Sequence, residues 1–306
     1  MRRDGILKLL GERFTDVSEE YMSSLTTWRT GGPAVVITAG TSDKLAGILD
    51  LTFEEGVPWF VLGQGSNVLA ADSGCSELII RLGGELSSHT WSSEGALWEL
   101  SCGGGAHLPS MSGAACTRGA AGLEFAVGIP GTVGGAIFMN AGAYGSSVSR
   151  TVSSVKVLDR RGSVRIIPGE ECGFDYRRSM FQDERLIIAS AVMRLGSGDP
   201  EDLRSEARRI LELRRERFPL EYPNAGSVFR KPADDIPPGR LIEGAGLKGR
   251  TVGGAMVSRK HANFIINTGS ATSDDIRKLI DVVRKTVLDF SGIMLEEEIR
   301  YLGGRK

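Results

Sequence analysis

The sequence predicts an α+β protein of two or three domains. A chain of 306 residues, 41% of them hydrophobic, is long enough to bury a large core and to divide into more than one domain. Its first part follows a β-α-β pattern, and its middle part alternates apolar strands with glycine-rich loops. Its last part combines two apolar strands with a long amphipathic helix.

The elements of the first part are marked by apolar runs and turn residues. After a short N-terminal helical segment, residues 34–38 form a predicted strand. Ser42 is the predicted cap of a helix that Gly56 ends, and one face of this helix carries Leu45, Ile48, Leu49, Thr52 and Phe53. Residues 59–62 and 78–82 are further predicted strands around a glycine loop.

The middle part has predicted strands at 155–158, 164–167 and 186–195, with a turn at Arg161 and Gly162. Asp199 and Pro200 open a helix whose arginines we expect on a solvated face, namely Arg204, Arg208, Arg209 and Arg215. Residues 251–258 and 263–267 are predicted strands. The final helix, from a Ser273 cap to Gly292, has an apolar stripe of Ile276, Leu279, Ile280, Val283 and Val287.

Two glycine-rich loops are the most informative feature of the chain. Six glycines lie within residues 125–145, and a second loop, GQGSN at 63–67, directly follows an apolar strand. Glycine at this density destabilises ordinary helix or strand, so we expect bare backbone N–H groups to approach a flat or anionic group. Two such loops suit a large diphosphate cofactor better than a single phosphate. The alternative is a set of tight turns in a glycine-rich fold.

The first loop superficially matches the dinucleotide fingerprint of Rossmann proteins. Gly63 and Gly65 follow a strand, but Val68 stands where the third glycine belongs. The fingerprint must also open a helix, and residues 72–74 interrupt the chain too soon for one. The sequence therefore favours a loop that binds phosphate through Ser66, Asn67 and backbone N–H groups.

Five motifs in a fixed order carry a family resemblance. They are GQGSN at 63–67, GIPGTVGGA with MNAGAYG at 128–145, DYRRS at 175–179, NAGSVF at 224–229 and LEEEIR at 295–300. Together they resemble the UDP-N-acetylenolpyruvoylglucosamine reductase family, over residues from about Thr27 to the C-terminus. The resemblance implies a two-lobed FAD-binding domain of the p-cresol-methylhydroxylase/vanillyl-alcohol-oxidase type, with lobes at 1–85 and 86–198. It also implies a smaller α+β substrate-binding domain at 199–293 and a C-terminal segment, 294–306, that returns to the active site.

The activity that the resemblance implies belongs to peptidoglycan precursor synthesis. NADPH reduces a non-covalently bound FAD, which passes hydride to UDP-N-acetylglucosamine enolpyruvate and yields UDP-N-acetylmuramate. The motifs imply FAD contacts from Gly63, Gln64, Gly65, Ser66, Asn67, Gly128, Ile129, Pro130, Gly131, Thr132, Gly134, Gly135, Asn140, Gly142 and Ala143.

Three residues match the family's catalytic positions. Arg177 would clamp the substrate carboxylate, Ser227 would donate a proton, and Glu298 would act as an acid beside the carboxylate. From the residues alone, Arg177 cannot be separated from its neighbour Arg178, and Ser227 could simply cap a turn. Residues 296–298 are expected to form a strand that turns Glu297, which stands where the family usually has proline, away from Glu298.

Four residues match positions that contact the substrate in the family: Tyr176, Arg217, Lys248 and Arg300. Tyr176 could equally be a core tyrosine, and Phe218 replaces a polar residue often found beside Arg217. Short connections at 194–199 and 219–224, together with HANFIIN at 261–267, indicate the branch of the family that lacks a long substrate-closing loop.

Composition argues against several other classes. The formal net charge of −1 gives no bulk attraction to nucleic acid or to a membrane, and we expect neither, nor an obligate protein partner. Four cysteines without a Cys-x-x-Cys pair, and three histidines, predict no metal site and favour a cytoplasmic protein. The alternatives are a flavin oxidase of an alcohol or sugar lactone on the same fold, and a non-catalytic flavin- or nucleotide-sugar-binding regulator.

Overall fold

A mixed four-stranded sheet forms the first lobe of the computed structural model, which describes residues 2–233 and 236–304. The sheet order is β1-β2-β5-β3, with β1 antiparallel to β2 and the other pairs parallel. The elements of this lobe are α1 (Arg3–Gly11), β1 (Val17–Tyr21), α2 (Met22–Leu25), β2 (Pro33–Ala39), α3 (Ser42–Glu54), β3 (Trp59–Val61), β4 (Val68–Ala70) and β5 (Leu78–Leu82).

Helix α3 packs its predicted apolar face on this sheet, with Leu45, Ile48 and Leu49 fully buried. Two details of the prediction are wrong. The cap is Thr41 rather than Ser42, because the Thr41 hydroxyl reaches the backbone N–H of Lys44 three residues on. Phe53 is 41% exposed and lies beneath the guanidinium of Arg161 instead of in the core.

The second lobe is an antiparallel sheet in the order β12-β11-β13-β7-β6, with β8 pairing β13 at one end. Its core is covered by helices α4 and α5. The three strands predicted in the middle of the chain are confirmed. The elements are β6 (His89–Glu94), β7 (Leu97–Gly103), α4 (Leu108–Arg118), β8 (Ala120–Ala121), α5 (Val133–Phe138), β9 (Gly142–Ala143), β10 (Ser146–Ser147), β11 (Val152–Leu158), β12 (Val164–Pro168) and β13 (Ile187–Ser197).

Helix α6 (Pro200–Arg217) leaves the second lobe and packs back against α4. The Asp199 carboxylate accepts from the N–H groups of Glu201 and Asp202, which caps the helix as predicted. Three arginines of the expected solvated face pair with acids of the same helix, Arg204 and Arg208 with Glu201 and Arg209 with Glu206.

The third lobe is a three-stranded antiparallel sheet covered by the buried apolar stripe of α8. The predicted strand at 251–258 is in fact a hairpin, since Gly253 and Gly254 turn the chain and Gly253 has φ +50°. The cap of α8 is Thr272 in a capping box with Asp275, not Ser273. The elements of this lobe are α7 (Pro238–Gly244), β14 (Thr251–Val252), β15 (Ala255–Val257), β16 (Ile265–Asn267) and α8 (Ser273–Ser291), and a further strand, β17 (Arg300–Leu302), follows them.

Buried packing and hydrogen bonds from the first lobe fix the position of the third lobe. Trp28 is fully buried in the core of the third lobe, where its Nε1 donates to the Ile265 carbonyl at 2.8 Å. The Asp72 carboxylate accepts from the N–H groups of Ser273 and Asp274, both at 2.9 Å, at the first turn of α8. Strand β17 then pairs in parallel with β4, so residues 300–302 return to the first lobe. The predicted boundaries at residues 85, 198 and 293 fall between β5 and β6, between β13 and α6, and after α8.

Over the described residues, no helix combines the length and the apolar composition that crossing a membrane requires. The same part of the chain brings no three His, Cys, Asp or Glu side chains together in an arrangement that could hold a metal ion.

The Asp72 cap makes a testable contribution to stability. Asp72→Ala should lower the free energy of unfolding by about 1–2 kcal/mol, because two N–H groups at a helix N-terminus lose a charged acceptor. Thermal denaturation should show a melting temperature lower by about 2–4 °C per kcal/mol. Asp50→Ala, an exposed change on α3, is the control and should shift stability by less than about 0.5 kcal/mol. Equal shifts in the two variants would show that the interlobe cap contributes nothing.

Candidate active site

A large cavity, of about 1290 Å³, lies where the three lobes meet. Both glycine loops line it, as do Arg177, Ser227 and Glu298. Pockets for drug-sized ligands are usually about 300–1,000 Å³, so this one suits an extended cofactor together with a second ligand.

All five residues of the first glycine loop, 63–67, lie in the cavity wall. Gly65 has φ +62°, and a Cβ there would come within 2.3 Å of the Leu25 carbonyl oxygen. A Cβ on Gly63 would come within 2.7 Å of the Thr132 hydroxyl, and Ser66 donates to the Pro130 carbonyl at 2.9 Å. Glycine is thus required where this loop meets its neighbours. Strand β4 follows the loop directly, which excludes the Rossmann arrangement because that fold needs a helix there.

Most of the second glycine loop also faces the cavity: Ile129, Pro130, Gly131, Thr132, Gly134, Gly135, Gly142 and Ala143. Two residues of the same predicted set lie behind the wall. A Cβ on Gly128 would meet the Arg214 side chain at 2.4 Å, so this glycine makes room for an arginine. The Asn140 side chain donates to the Asp175 carbonyl at 2.8 Å and accepts from the Ser149 N–H.

Arg177 sits in a tight turn between Asp175 and Arg178, whose backbones exchange two hydrogen bonds. Its φ of +55° is unusual for a residue with a side chain and costs about 1–3 kcal/mol. The guanidinium donates from Nε to Glu298 Oε1 at 2.9 Å and from Nη2 to the Gly142 carbonyl at 2.9 Å. Arg178 instead lies in solvent and pairs with Asp183. The structure therefore separates two arginines that the sequence alone left equivalent.

Glu298 is held on both sides of its α-carbon, with its side chain only 14% exposed. Its N–H donates to the Val228 carbonyl at 2.8 Å, and its carbonyl accepts from Asn67 Nδ2 at 3.2 Å. Burial raises the pKa of its carboxyl group, and this effect outweighs the lowering by Arg177 and Arg230. A buried acid with a raised pKa keeps its proton to a higher pH than an exposed glutamate.

The strand predicted across residues 296–298 is wrong, since a single β-bridge between Glu297 and Phe229 occurs there and β17 begins only at Arg300. The three glutamates diverge nonetheless. Glu296 is exposed, whereas Glu297 accepts from Arg284 at 3.0 Å. Glu297 is therefore a partly buried member of an ion pair rather than a free acid.

Ser227 lies in the cavity wall and also belongs to a turn. The Asn224 side chain accepts from the Gly226 N–H at 2.9 Å, and Gly226 has φ +76°. The next residues are fixed by Asn263, whose amide bonds both the N–H and the carbonyl of Phe229. The turn that the sequence offered as the alternative exists, and it is what presents the serine to the cavity.

The four predicted substrate residues divide into two groups. Arg217 and Arg300 line the cavity, and the Arg300 guanidinium lies 5.3 Å above the ring of Phe138, where burial lowers its pKa. Tyr176 is 47% exposed at the surface beneath Arg177. Lys248 lies outside the wall and pairs with Glu243 at 2.7 Å.

One cavity residue, Arg214, was missed by the sequence reasoning. Its guanidinium lies 5.0 Å above Phe218, which stacks on Phe264. Burial lowers the pKa of Arg214. Its only signal in the sequence was membership of the arginine run of α6, where it is indistinguishable from solvated neighbours.

Two family models match the chain. A model described as the C-terminal domain of UDP-N-acetylenolpyruvoylglucosamine reductase matches residues 218–302, and one described as an FAD binding domain matches residues 33–167. The second match spans the two glycine loops. With the structure compared below, it confirms the predicted fold class, an α+β protein with a two-lobed FAD-binding domain of the p-cresol-methylhydroxylase/vanillyl-alcohol-oxidase type and a smaller α+β domain.

Relatives cover almost the whole chain. UDP-N-acetylenolpyruvoylglucosamine reductases from Heliobacterium modesticaldum and Anoxybacillus flavithermus are 45% and 40% identical, over 94% and 93% of this chain and 90% and 93% of theirs. The crystal structure of the Thermus caldophilus reductase matches at a TM-score of 0.80 and 32% identity, over 94% of this chain and 98% of that one. The chain therefore belongs to the UDP-N-acetylenolpyruvoylglucosamine reductase family.

Proposed function

We propose that the protein is a flavoenzyme that reduces UDP-N-acetylglucosamine enolpyruvate to UDP-N-acetylmuramate with NADPH, in the synthesis of peptidoglycan precursors. The observation that carries the proposal is the strained Arg177 paired with the buried Glu298 in the wall of the cavity that both glycine loops line. Ser227 lies in the same wall.

The residues present fit FAD. A Cβ on Gly131 or Gly135 would meet no atom closer than 3.5 Å, so crowding by the rest of the chain does not explain either glycine, and a flat group can approach their backbone. Bound FAD would accept hydride from NADPH and deliver it to the terminal alkene carbon of the substrate. Neither loop contains a cysteine or histidine that could form a covalent flavin bond.

The chain's own residues supply charge and a proton. Negative charge builds on the substrate carboxylate as hydride adds, and the permanently charged Arg177 is placed to stabilise it. The adjacent carbon then takes a proton from the Ser227 hydroxyl. Glu298 keeps Arg177 oriented through Nε, and its raised pKa lets it hold a proton near the developing charge.

The two alternatives explain less of the site. A flavin oxidase passes its electrons to oxygen, and that transfer has no need of an acid–arginine pair with a serine in the same cavity wall. A regulator that only binds flavin would gain nothing from strain at Arg177.

We place the enzyme in the cytoplasm, because all four cysteines are free and buried. Burial raises the pKa of the Cys75 and Cys102 thiols to about 12.

An anaerobic experiment tests the proposal. NADPH should bleach the bound flavin, and UDP-N-acetylglucosamine enolpyruvate should restore its colour without oxygen. Colour that returns only when air is admitted would support the oxidase. A flavin that NADPH never bleaches would contradict both enzymes.

The purified protein should be yellow and should release free FAD on denaturation, because its glycine loops hold the cofactor only through non-covalent contacts. Absorbance of the filtrate after denaturation and ultrafiltration measures this. Flavin that stays on the chain would mean a covalent bond, and protein that cannot be loaded with FAD would contradict the assignment.

Ser227→Ala should leave reduction by NADPH near the wild-type rate and slow reoxidation by the enolpyruvyl substrate about 10²–10⁴-fold, since it removes the proton donor. Stopped-flow absorbance separates the two half-reactions. Ser76→Ala, a change at an exposed serine outside the cavity wall, is the control. Equal slowing of both half-reactions would show that Ser227 is structural.

Glu298→Gln should abolish most reoxidation, whereas Glu296→Gln should behave like wild type and Glu297→Gln should lose stability rather than rate. Because burial raises the pKa of Glu298, wild-type reoxidation should be fast below that pKa and fall as the pH rises through it. This alkaline limb should be missing in Glu298→Gln. Rapid-mixing rates across the pH range measure both effects, and an unchanged limb would assign the titration to another group.

A further inference from the structure

We propose that Asn67 and Asn140, one from each glycine loop, are positioning residues that set the two members of the Glu298–Arg177 pair. The sequence placed both asparagines on the cofactor. In the structure their amide groups bond the backbone of the two catalytic segments. The inference rests on the proposed function and assigns these residues a part in the second half-reaction.

Asn67 ties the first loop to the acid. Its Nδ2 donates to the Glu298 carbonyl at 3.2 Å, and its own carbonyl accepts from the Arg300 N–H at 2.9 Å. These bonds lie on either side of Ile299, which is 4% exposed, and they start the parallel pairing of β17 with β4. With the Glu298 N–H bonded to Val228, the backbone of the acid cannot rotate without losing a hydrogen bond.

Asn140 does the same for the arginine. Its Nδ2 donates to the Asp175 carbonyl at 2.8 Å, at the start of the turn that holds Arg177. Asn140 has φ +41°, a conformation that asparagine tolerates better than most residues. The Gly142 carbonyl, two residues further along the same loop, accepts from Arg177 Nη2. The loop therefore holds both the backbone and the head group of this arginine.

Charge does not explain the role of either amide. The charged groups near Glu298 are Arg177 and Arg230, and Arg230 also faces Arg300. Both asparagines are neutral, so their removal should change the geometry of the pair and leave its net charge as it is. The consequence is that the loops which would hold the cofactor also fix where the acid and the arginine stand relative to it.

Asn67→Ala and Asn140→Gly test the inference, the glycine being chosen because it accepts the positive φ. Each change should slow flavin reoxidation by the enolpyruvyl substrate about 10–10²-fold, as a small misplacement of a catalytic group does. Reduction by NADPH should stay near the wild-type rate. Ser66→Ala is the matched control, because it removes the bond to Pro130 from the same loop without touching Glu298. It should weaken FAD binding without slowing reoxidation more than reduction.

A double-mutant cycle separates positioning from general disruption. In a Glu298→Gln background, Asn67→Ala should slow reoxidation little further, since the group it positions is gone. The FAD dissociation constant of the double variant Glu298→Gln/Asn67→Ala should lie within about 3-fold of that of Glu298→Gln. The melting temperatures of the two flavin-free variants should agree within a few degrees. Additive slowing, or equal loss in both half-reactions, would overturn the role of Asn67. Wild-type enzyme that the enolpyruvyl substrate fails to reoxidise would overturn the proposed function as well.

Discussion

The parallel pairing of β17 with β4 is the constraint on which the rest of the site depends. It brings residues 300–302 back to the lobe that contains the first glycine loop. Glu298 is thereby carried to Arg177, 121 residues earlier in the chain. The same segment bonds the Ser227 turn through Val228 and Arg230. The segment 296–302 thus joins elements from all three lobes at the wall of the cavity.

The strained backbone conformation of Arg177 is stabilised by the contacts of its guanidinium group. Holding a non-glycine residue at φ +55° costs about 1–3 kcal/mol. A hydrogen bond to a charged group contributes about 1.5–3 kcal/mol, and Arg177 makes one to Glu298 and one to the Gly142 carbonyl. The two bonds together offset the strain. A lysine in its place would carry its three donors on one nitrogen rather than on a planar fork, so it would not reproduce these two bonds in the same geometry.

Hydrophobic periodicity, together with turn and cap residues, was enough to predict most of the fold, because apolar spacing and helix caps act locally. The two helix caps were each predicted one residue too late. At both places a threonine directly precedes the predicted serine, and either hydroxyl can accept from the first turn of a helix. Glycines were less transparent. A glycine indicates that something comes close but not what, and at Gly128 the neighbour is Arg214 rather than a cofactor. Family motifs identified Arg177 and Glu298 as candidate catalytic residues. The hydrogen bond between them joins residues too far apart in the sequence for a local pattern to predict it.

Glu298 is both paired with an arginine and shifted towards its protonated form, and the two facts are compatible. Burial opposes the charged form of the carboxyl group more strongly than Arg177 and Arg230 favour it. On the proposed chemistry, the substrate carboxylate arrives at the same guanidinium and adds a second negative charge beside Glu298. Like charges at short distance raise the pKa of the buried acid further. Substrate binding would therefore itself drive a proton onto Glu298, and the Arg177–Glu298 pair would become an Arg177–substrate pair with a neutral acid beside it, ready for the charge that hydride transfer creates.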